Sequence, residues 1–441
     1  MQASSTNVRW RILAMLMAYA AMCHFNRMSI AVAGAEHIMH DYSISETKMG
    51  MVYSSYLFVY TLCMMPGGWV IDRIGPKKAL MILGFGSAIL VPMTGLASYA
   101  GSALRVVLVL CVIRALLGVV STPMHPGAAR SVSFWMPYQT RGFANGLVTG
   151  AAVAGIASTY FVFGYLMDLT GWPCAFLVAG CATLLLAIVW SVCCADHPNQ
   201  HPAVNERERK LIAEGQIAVP TQSGIVEDFS SSNMTGALLR WIRGNRSLLL
   251  LTLSYAMYSY FQYLFFYWMQ YYFDHVLELG QADGRLYATI ATLAMAVGMI
   301  SGGWIADRIE SRFGTRRGRA ITPACGMIAS AVLLSLGILA GQSLWVVACF
   351  VLAMGALGTS ESSFWVTGVE LGRQRGGISA AILNTGGNAG GIISPTLTPL
   401  LGKIFGWKVG LGVASVLCIF GAALWWWIEP RGLESTAETG G

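Results

Sequence analysis

The amino-acid sequence predicts an all-α membrane protein: twelve transmembrane helices in two pseudo-symmetric six-helix halves. Three observations predict it. Of the 441 residues 55% are apolar and only 11% charged, with a mean hydropathy of +0.59, against roughly 25% charged in a soluble domain. Apolar stretches near the ~20 residues needed to cross a bilayer recur along the whole chain. A motif in the first half returns in the second at an almost constant offset, which is the mark of a duplicated unit.

The spans are read at about 10–35, 47–71, 78–100, 104–130, 142–168 and 172–195, then at about 247–273, 283–306, 320–341, 343–370, 377–402 and 408–429. They are numbered 1 to 12 below. Span 1 lacks a small-residue cleavage site and runs straight into further spans, so it is expected to be a retained helix. The domains are accordingly 1–195, a linker over 196–246, and 247–441. Within the linker, Asn205-Glu206-Arg207-Glu208-Arg209-Lys210 fits either a short surface helix or a solvated connector.

The repeat is specific. Gly67-Gly68-Trp69-Val70-Ile71-Asp72-Arg73-Ile74 recurs as Gly302-Gly303-Trp304-Ile305-Ala306-Asp307-Arg308-Ile309, 235 positions on, and Gly171-Trp172 recurs as Gly406-Trp407 at the same offset. An even number of spans separates the copies, so they run parallel about an axis along the membrane normal.

Basic residues give the orientation. Of the 28 Lys and Arg, 21 fall on the side of the termini and the linker, 5 on the other, and Arg27 and Arg114 lie inside spans. Both termini and the linker are therefore expected in the cytoplasm. The net charge of +7 is a topology signal, and nucleic acid is not expected as a partner. The ten cysteines show no metal-ligand spacing and are read as small buried hydrophobes without disulfides; no cofactor is expected.

Two six-span halves with Gly68-x-x-x-Asp72-Arg73-x-Gly75-x-Lys77-Lys78 between spans 2 and 3 resemble the major facilitator superfamily. Within it the chain is similar to the anion:cation symporter family of sugar-acid, hexuronate and organic-anion carriers. The residues that carry the likeness are Asn26-Arg27-x-x-Ile30-Ala31-Val32-Ala33, Tyr60-Thr61-Leu62-Cys63-x-x-Pro66-Gly67-Gly68-Trp69, Arg114-Ala115-x-x-Gly118 with Pro123 and Pro126, and Asn384-x-x-Gly387-Asn388-x-x-Gly391-Ile392-Ile393-x-Pro395. The resemblance implies the major facilitator fold, a substrate carboxylate held by Arg27, and Tyr60 in the same cavity. It also implies that Asp72, Arg73, Asp307 and Arg308 latch one conformation without touching substrate, through charge pairs with loop ends such as Arg130 or Arg141. Proton-coupled bacterial members carry Asp just before the span 1 arginine and Glu seven residues after the span 4 arginine. Here Asn26 and Ser121 stand at those positions, inside the expected substrate site but without a titratable proton.

An Arg at mid-span costs roughly 2.5–3.5 kcal/mol even on low insertion scales, so Arg27 and Arg114 need a polar cavity or a partner. Contact with an anionic substrate and structural pairing both satisfy that need. Of the 21 acids only Glu361 sits well inside a span, and aligning Gly118-Val119-Val120-Ser121 with Gly358-Thr359-Ser360-Glu361 makes it the mirror of Ser121. Glu361 is read either as the proton carrier or as half of a salt bridge; His24 and His125 are the other titratable candidates, each equally readable as a core histidine. Tyr258 and Gln262 share a face of span 7, where Gln262 echoes Asn26 at an offset of 236. Asn384 and Asn388 lie one turn apart, and their amides need either substrate or a neighbouring helix.

The expected function is secondary transport of a small carboxylated solute, such as an aldonate or uronate, by alternating access. Coupling to proton entry is one form, and uncoupled transport or exchange of organic anions is the alternative that Asn26 and Ser121 favour. An enzyme is not expected, since no metal cluster or nucleophile–base pair stands out. The expected setting is the cell membrane, with lipid as the only surrounding partner, protons as the coupling partner and a functional monomer.

Overall fold

The structure is a computed structural model and describes residues 5–137, 140–214, 244–372 and 376–429. By contact clustering the chain falls into two compact units, one of Met1–Ile44 with Ser55–Phe229, the other of Ser45–Ser54 with Ser230–Gly441.

In the first unit the helices are α1 (Val8–Ala33), α2 (Glu46–Ile74, whose residues 46–54 fall in the second unit), α3 (Pro76–Leu96), α4 (Ala103–Ser121), α5 (Met124–Trp135), α6 (Arg141–Ser158), α7 (Gly164–Thr170) and α8 (Trp172–Cys193). A short helix, α9 (Glu206–Glu214), follows in the linker. The second unit contains α10 (Arg246–Tyr271), α11 (Gln281–Phe313), α12 (Thr315–Leu339), α13 (Ser343–Gly358), α14 (Glu361–Gly372), α15 (Gly376–Phe405) and α16 (Trp407–Leu424). All described elements are helical. The duplication extends to packing: α1 lies on α6 as α10 lies on α15, and α3 on α8 as α12 on α16. Spans 1 and 7 also each end in a π-helical turn, Gly34–Ile38 and Tyr272–Val276.

Large apolar side chains point outward on many helices, with Ile300 79% and Leu339 80% exposed. Such a surface suits lipid and would be a liability in water. Eight spans are apolar and long enough to cross a membrane by composition alone. Among the described residues, spans 1, 2, 7 and 11 are not among those eight.

Spans 4 and 10 differ from the continuous helices the sequence suggests, since each is broken. Span 4 is α4 and α5, separated at Thr122 and Pro123; span 10 is α13 and α14, separated at Thr359 and Ser360. Pro123 lacks an N–H and cannot continue the ladder. In span 10 no proline is present, and hydroxyls take its place. The Thr359 hydroxyl donates to Ala356 O at 2.7 Å and the Ser360 hydroxyl to Pro323 O at 3.2 Å, as the Thr122 hydroxyl donates to Val119 O at 2.8 Å. Side chains that bond nearby carbonyls compete with the helix itself. The first glycine of each repeated motif packs on its break: a Cβ on Gly67 would lie 2.7 Å from Thr122 Oγ1, and one on Gly302 would run into the Thr359 backbone.

The cysteine expectation is corrected in part. Cys23, Cys194 and Cys418 are buried, but Cys174, Cys181, Cys193 and Cys325 are exposed. A small apolar side chain suits an outward helix face as well as a core when lipid is the solvent.

The linker run does form a helix, and it is tied down. The Asn205 side chain caps α9 by accepting from Glu208 N–H at 2.9 Å. Glu208 is fully buried, and its carboxylate accepts from the Thr6 hydroxyl at 2.6 Å, Val8 N–H at 3.2 Å, Arg9 N–H at 3.1 Å and Arg9 Nη1 at 3.0 Å. Asn7, at the start of α1, supplies no side-chain cap of its own. The linker thus satisfies the free N–H groups of span 1 with a charge that complements the helix dipole. Glu208→Ala is expected to lower stability by about 2–3 kcal/mol, the cost of a lost cap and of a broken charge-assisted cluster. A thermal melt of the variant in detergent that matched wild type would refute this.

Candidate functional site

In the first unit, three side chains from three helices form a stack. Tyr56 of α2 is 3% exposed; the Arg27 guanidinium of α1 lies 5.2 Å from its ring centroid and that of Arg114 of α4 lies 4.9 Å away. An aromatic ring close to two guanidinium groups offsets part of their desolvation through cation–π attraction. Tyr60, one turn further along α2, stacks on Tyr56 at 5.9 Å. Ser121, at the end of α4, is buried and reaches the Tyr56 hydroxyl. Tyr56 was not singled out by sequence; its spacing of four from Tyr60 is the signal that could have found it.

The two arginines have different tasks. Arg114 is 1% exposed and donates through Nη1 to Asn26 O at 3.3 Å and through Nη2 to Arg27 O. It holds the backbone of α1 at the residues that present Arg27. Asn26 turns its amide elsewhere, donating to the Thr183 hydroxyl on α8 at 2.9 Å, where it lines a small cavity with Tyr19, Ser87 and Thr183. His24 and His125 meet edge to face at 5.3 Å, both close enough to Arg27 to feel its charge. Nδ1 of His24 lies 2.9 Å from Ala20 O, which can only accept, so that nitrogen carries the proton.

In the second unit, Glu361 occupies the first turn of α14, just past the break. Its Oε1 accepts from the Tyr255 hydroxyl at 2.9 Å and from Trp365 Nε1 at 2.8 Å, while Oε2 is buried without a hydrogen-bond partner. Both donors are neutral, and among the described residues Glu361 forms no ion pair. Tyr258, fully buried, stacks on Tyr255 at 5.6 Å and brings its hydroxyl toward the same carboxylate. Gln262 is further along α10, with its amide 3.8 Å from Met295 Sδ, a weak contact. Asn384 is half-buried and Asn388 buried on α15. Gly387 beside them lets α10 approach: a Cβ there would sit 2.5 Å from Tyr255 Cε1.

At the latch residues, each arginine lies over a tryptophan of its own helix. Arg73 folds over Trp69 at 4.1 Å, and Arg308 over Trp304 at 4.3 Å, the same i, i+4 pair in both repeats. Among the described residues Asp307 and Arg308 form no ion pair; the side chain of Asp72 lies outside them. Arg319 is bound to Glu310 at 3.0 Å and to Glu370. Arg141 donates to Ser133 O and Met136 O.

Residues 16–382 match the model of the Major Facilitator Superfamily. The chain is 26% identical over 400 residues to the probable galactarate/D-glucarate transporter GudP of Bacillus subtilis (strain 168), covering 89% of this chain and 85% of that one. It is 26% identical over 390 residues to the probable sulfoacetate transporter SauU of Cupriavidus necator, covering 88% and 86%. The D-galactonate transporter of Escherichia coli O6:H1 (strain CFT073) is 23% identical over 415 residues, covering 94% of each. A crystal structure of a bacterial homologue of the human lysosomal transporter Spinster shares the fold, with a TM-score of 0.75 at 15% identity over 96% of this chain and 98% of that one. The chain belongs to the Major Facilitator Superfamily: it is an integral membrane transporter and not an enzyme.

Proposed function

We propose that the chain is a secondary active transporter of a small carboxylated solute, a sugar acid of the aldonate or uronate type, and that proton entry drives it. The observation that carries the anion reading is the stack of Arg27 and Arg114 on Tyr56, two cations brought to one ring inside a membrane protein. A positive site in low dielectric selects an anion. Arg27 receives the carboxylate, because its planar fork donates two parallel hydrogen bonds. Relatives described as carriers of galactarate, glucarate, galactonate and sulfoacetate support the same solute class.

The coupling reading rests on Glu361, whose second oxygen is buried and open to a proton. Uncoupled transport or exchange remains the second reading, favoured by Asn26 and Ser121, which cannot titrate. Purified protein in proteoliposomes, offered a panel of labelled sugar acids with and without a pH gradient, is expected to take up at least one of them and to accumulate it only with the gradient. Uptake without any response to pH would select the uncoupled reading, and inactivity toward all carboxylates would overturn the solute class.

We further propose that both termini and the linker are cytoplasmic, from the distribution of 28 basic residues described above. A single cysteine at position 223, in the part of the linker outside the described residues, is expected to stay unlabelled by an impermeant thiol reagent in intact cells. Labelling there, in a background with all ten native cysteines replaced by serine, would invert the orientation.

A further inference from the structure

In the first unit, where α1 and α3 begin and α8 ends, lies a groove of about 770 Å³. That is within the roughly 300–1,000 Å³ of small-molecule sites, far larger than a water needs. One wall is apolar, made by Val8, Ile12, Met15 and Val192. The other presents Arg11 and Lys77, and among the described residues neither side chain forms an ion pair. Arg11 is exposed, and Val192 is 77% exposed at the end of a membrane span, so the groove opens on the lipid side at headgroup depth. Trp10, 39% exposed, stands next to Arg11, an aromatic placed where interfacial belts form.

The remaining polar groups of the groove offset only one of those two charges. Asp196 brings one carboxylate, whose Oδ1 accepts the Lys77 N–H at the start of α3 at 2.8 Å. His201 has both ring nitrogens occupied: Nδ1 accepts from Ala203 N–H at 3.2 Å, which leaves Nε2 to donate to Cys193 O at 3.1 Å. That is the neutral tautomer.

We propose that this groove is a binding site for an anionic phospholipid of the adjoining leaflet, its phosphodiester held by Arg11 and Lys77 and its acyl chain laid along Val192, Ile12 and Met15. Basic pockets between helix ends beside an apolar wall have the charge and shape that such headgroups need. The site is separate from the Arg27 stack and does not depend on what the transporter carries.

Native mass spectrometry of the detergent-purified protein tests it, with phosphatidylglycerol, phosphatidylcholine and soluble glycerol phosphate as probes. Wild type is expected to retain one phosphatidylglycerol in preference to phosphatidylcholine. Arg11→Ala with Lys77→Ala is expected to reduce that preference about tenfold or more, since two cationic contacts are lost. Arg11→Lys with Lys77→Arg, which keeps both charges, is expected to retain it. Equal phosphatidylglycerol retention in the double alanine variant would overturn the site. So would a charge-keeping variant as defective as the alanines, which would mean that the substitutions act through folding. Glycerol phosphate bound as well as the lipid would replace the lipid with a soluble phosphate ester and overturn the proposal as stated.

Discussion

Arg27→Lys is expected to weaken substrate binding by about 10- to 100-fold without unfolding the protein. Lysine keeps the positive charge but not the two parallel donors, and a hydrogen bond to a charged group contributes roughly 1.5–3 kcal/mol. It also gives up the flat contact with Tyr56, which Arg27 makes at 5.2 Å. The dissociation constant of whichever sugar acid the uptake panel identifies is the quantity to measure. Arg114→Lys is the control with a different signature. Its guanidinium bonds the carbonyls of Asn26 and Arg27, so the variant should lose thermal stability first, and affinity as a consequence. Near wild-type affinity in Arg27→Lys would remove Arg27 from the site.

Glu361→Gln is expected to abolish accumulation driven by a pH gradient while leaving exchange of labelled for unlabelled substrate intact. The amide imitates a protonated carboxyl, and its oxygen can still accept from Tyr255 and Trp365, so the local structure should survive. What is lost is the release of a proton, and with it the link between substrate movement and the gradient. Full accumulation by the variant would move the proton elsewhere, with His24 and His125 next to be tested. A variant that lost exchange as well would show Glu361 to be needed for binding or folding and not for coupling alone.

Much of the fold was legible because its signals are long and repeated. Twenty-residue apolar runs survive errors of several residues at each end, and the Gly67 and Gly302 motifs identify the duplication without any contact being known. The breaks in spans 4 and 10 were not legible in the same way. Pro123 announces one, but in span 10 the break depends on where the Thr359 and Ser360 hydroxyls find carbonyls, and Ser360 finds its own on α12 at Pro323. The candidate site divides likewise. Arg27, Arg114 and Glu361 stand out because charge is rare at depth. Tyr56 does not, since aromatic residues are common in spans and only tertiary packing brings its ring close to two guanidinium groups.

The two broken spans also have a mechanical meaning. A continuous helix is a strut, which carries a push or twist at one end to the other. Cut at Thr122–Pro123, span 4 carries no unbroken helix from α4, where Arg114 clasps the carbonyls of α1, into α5. The cut at Thr359–Ser360 likewise parts Glu361, on the first turn of α14, from α13. Gly67 and Gly302 let the neighbouring helices pack close against the two cuts. Because one copy makes its joint with a proline and the other with hydroxyls, straightening either would require a different remedy: Pro123→Ala in the first, and Thr359→Val with Ser360→Ala in the second.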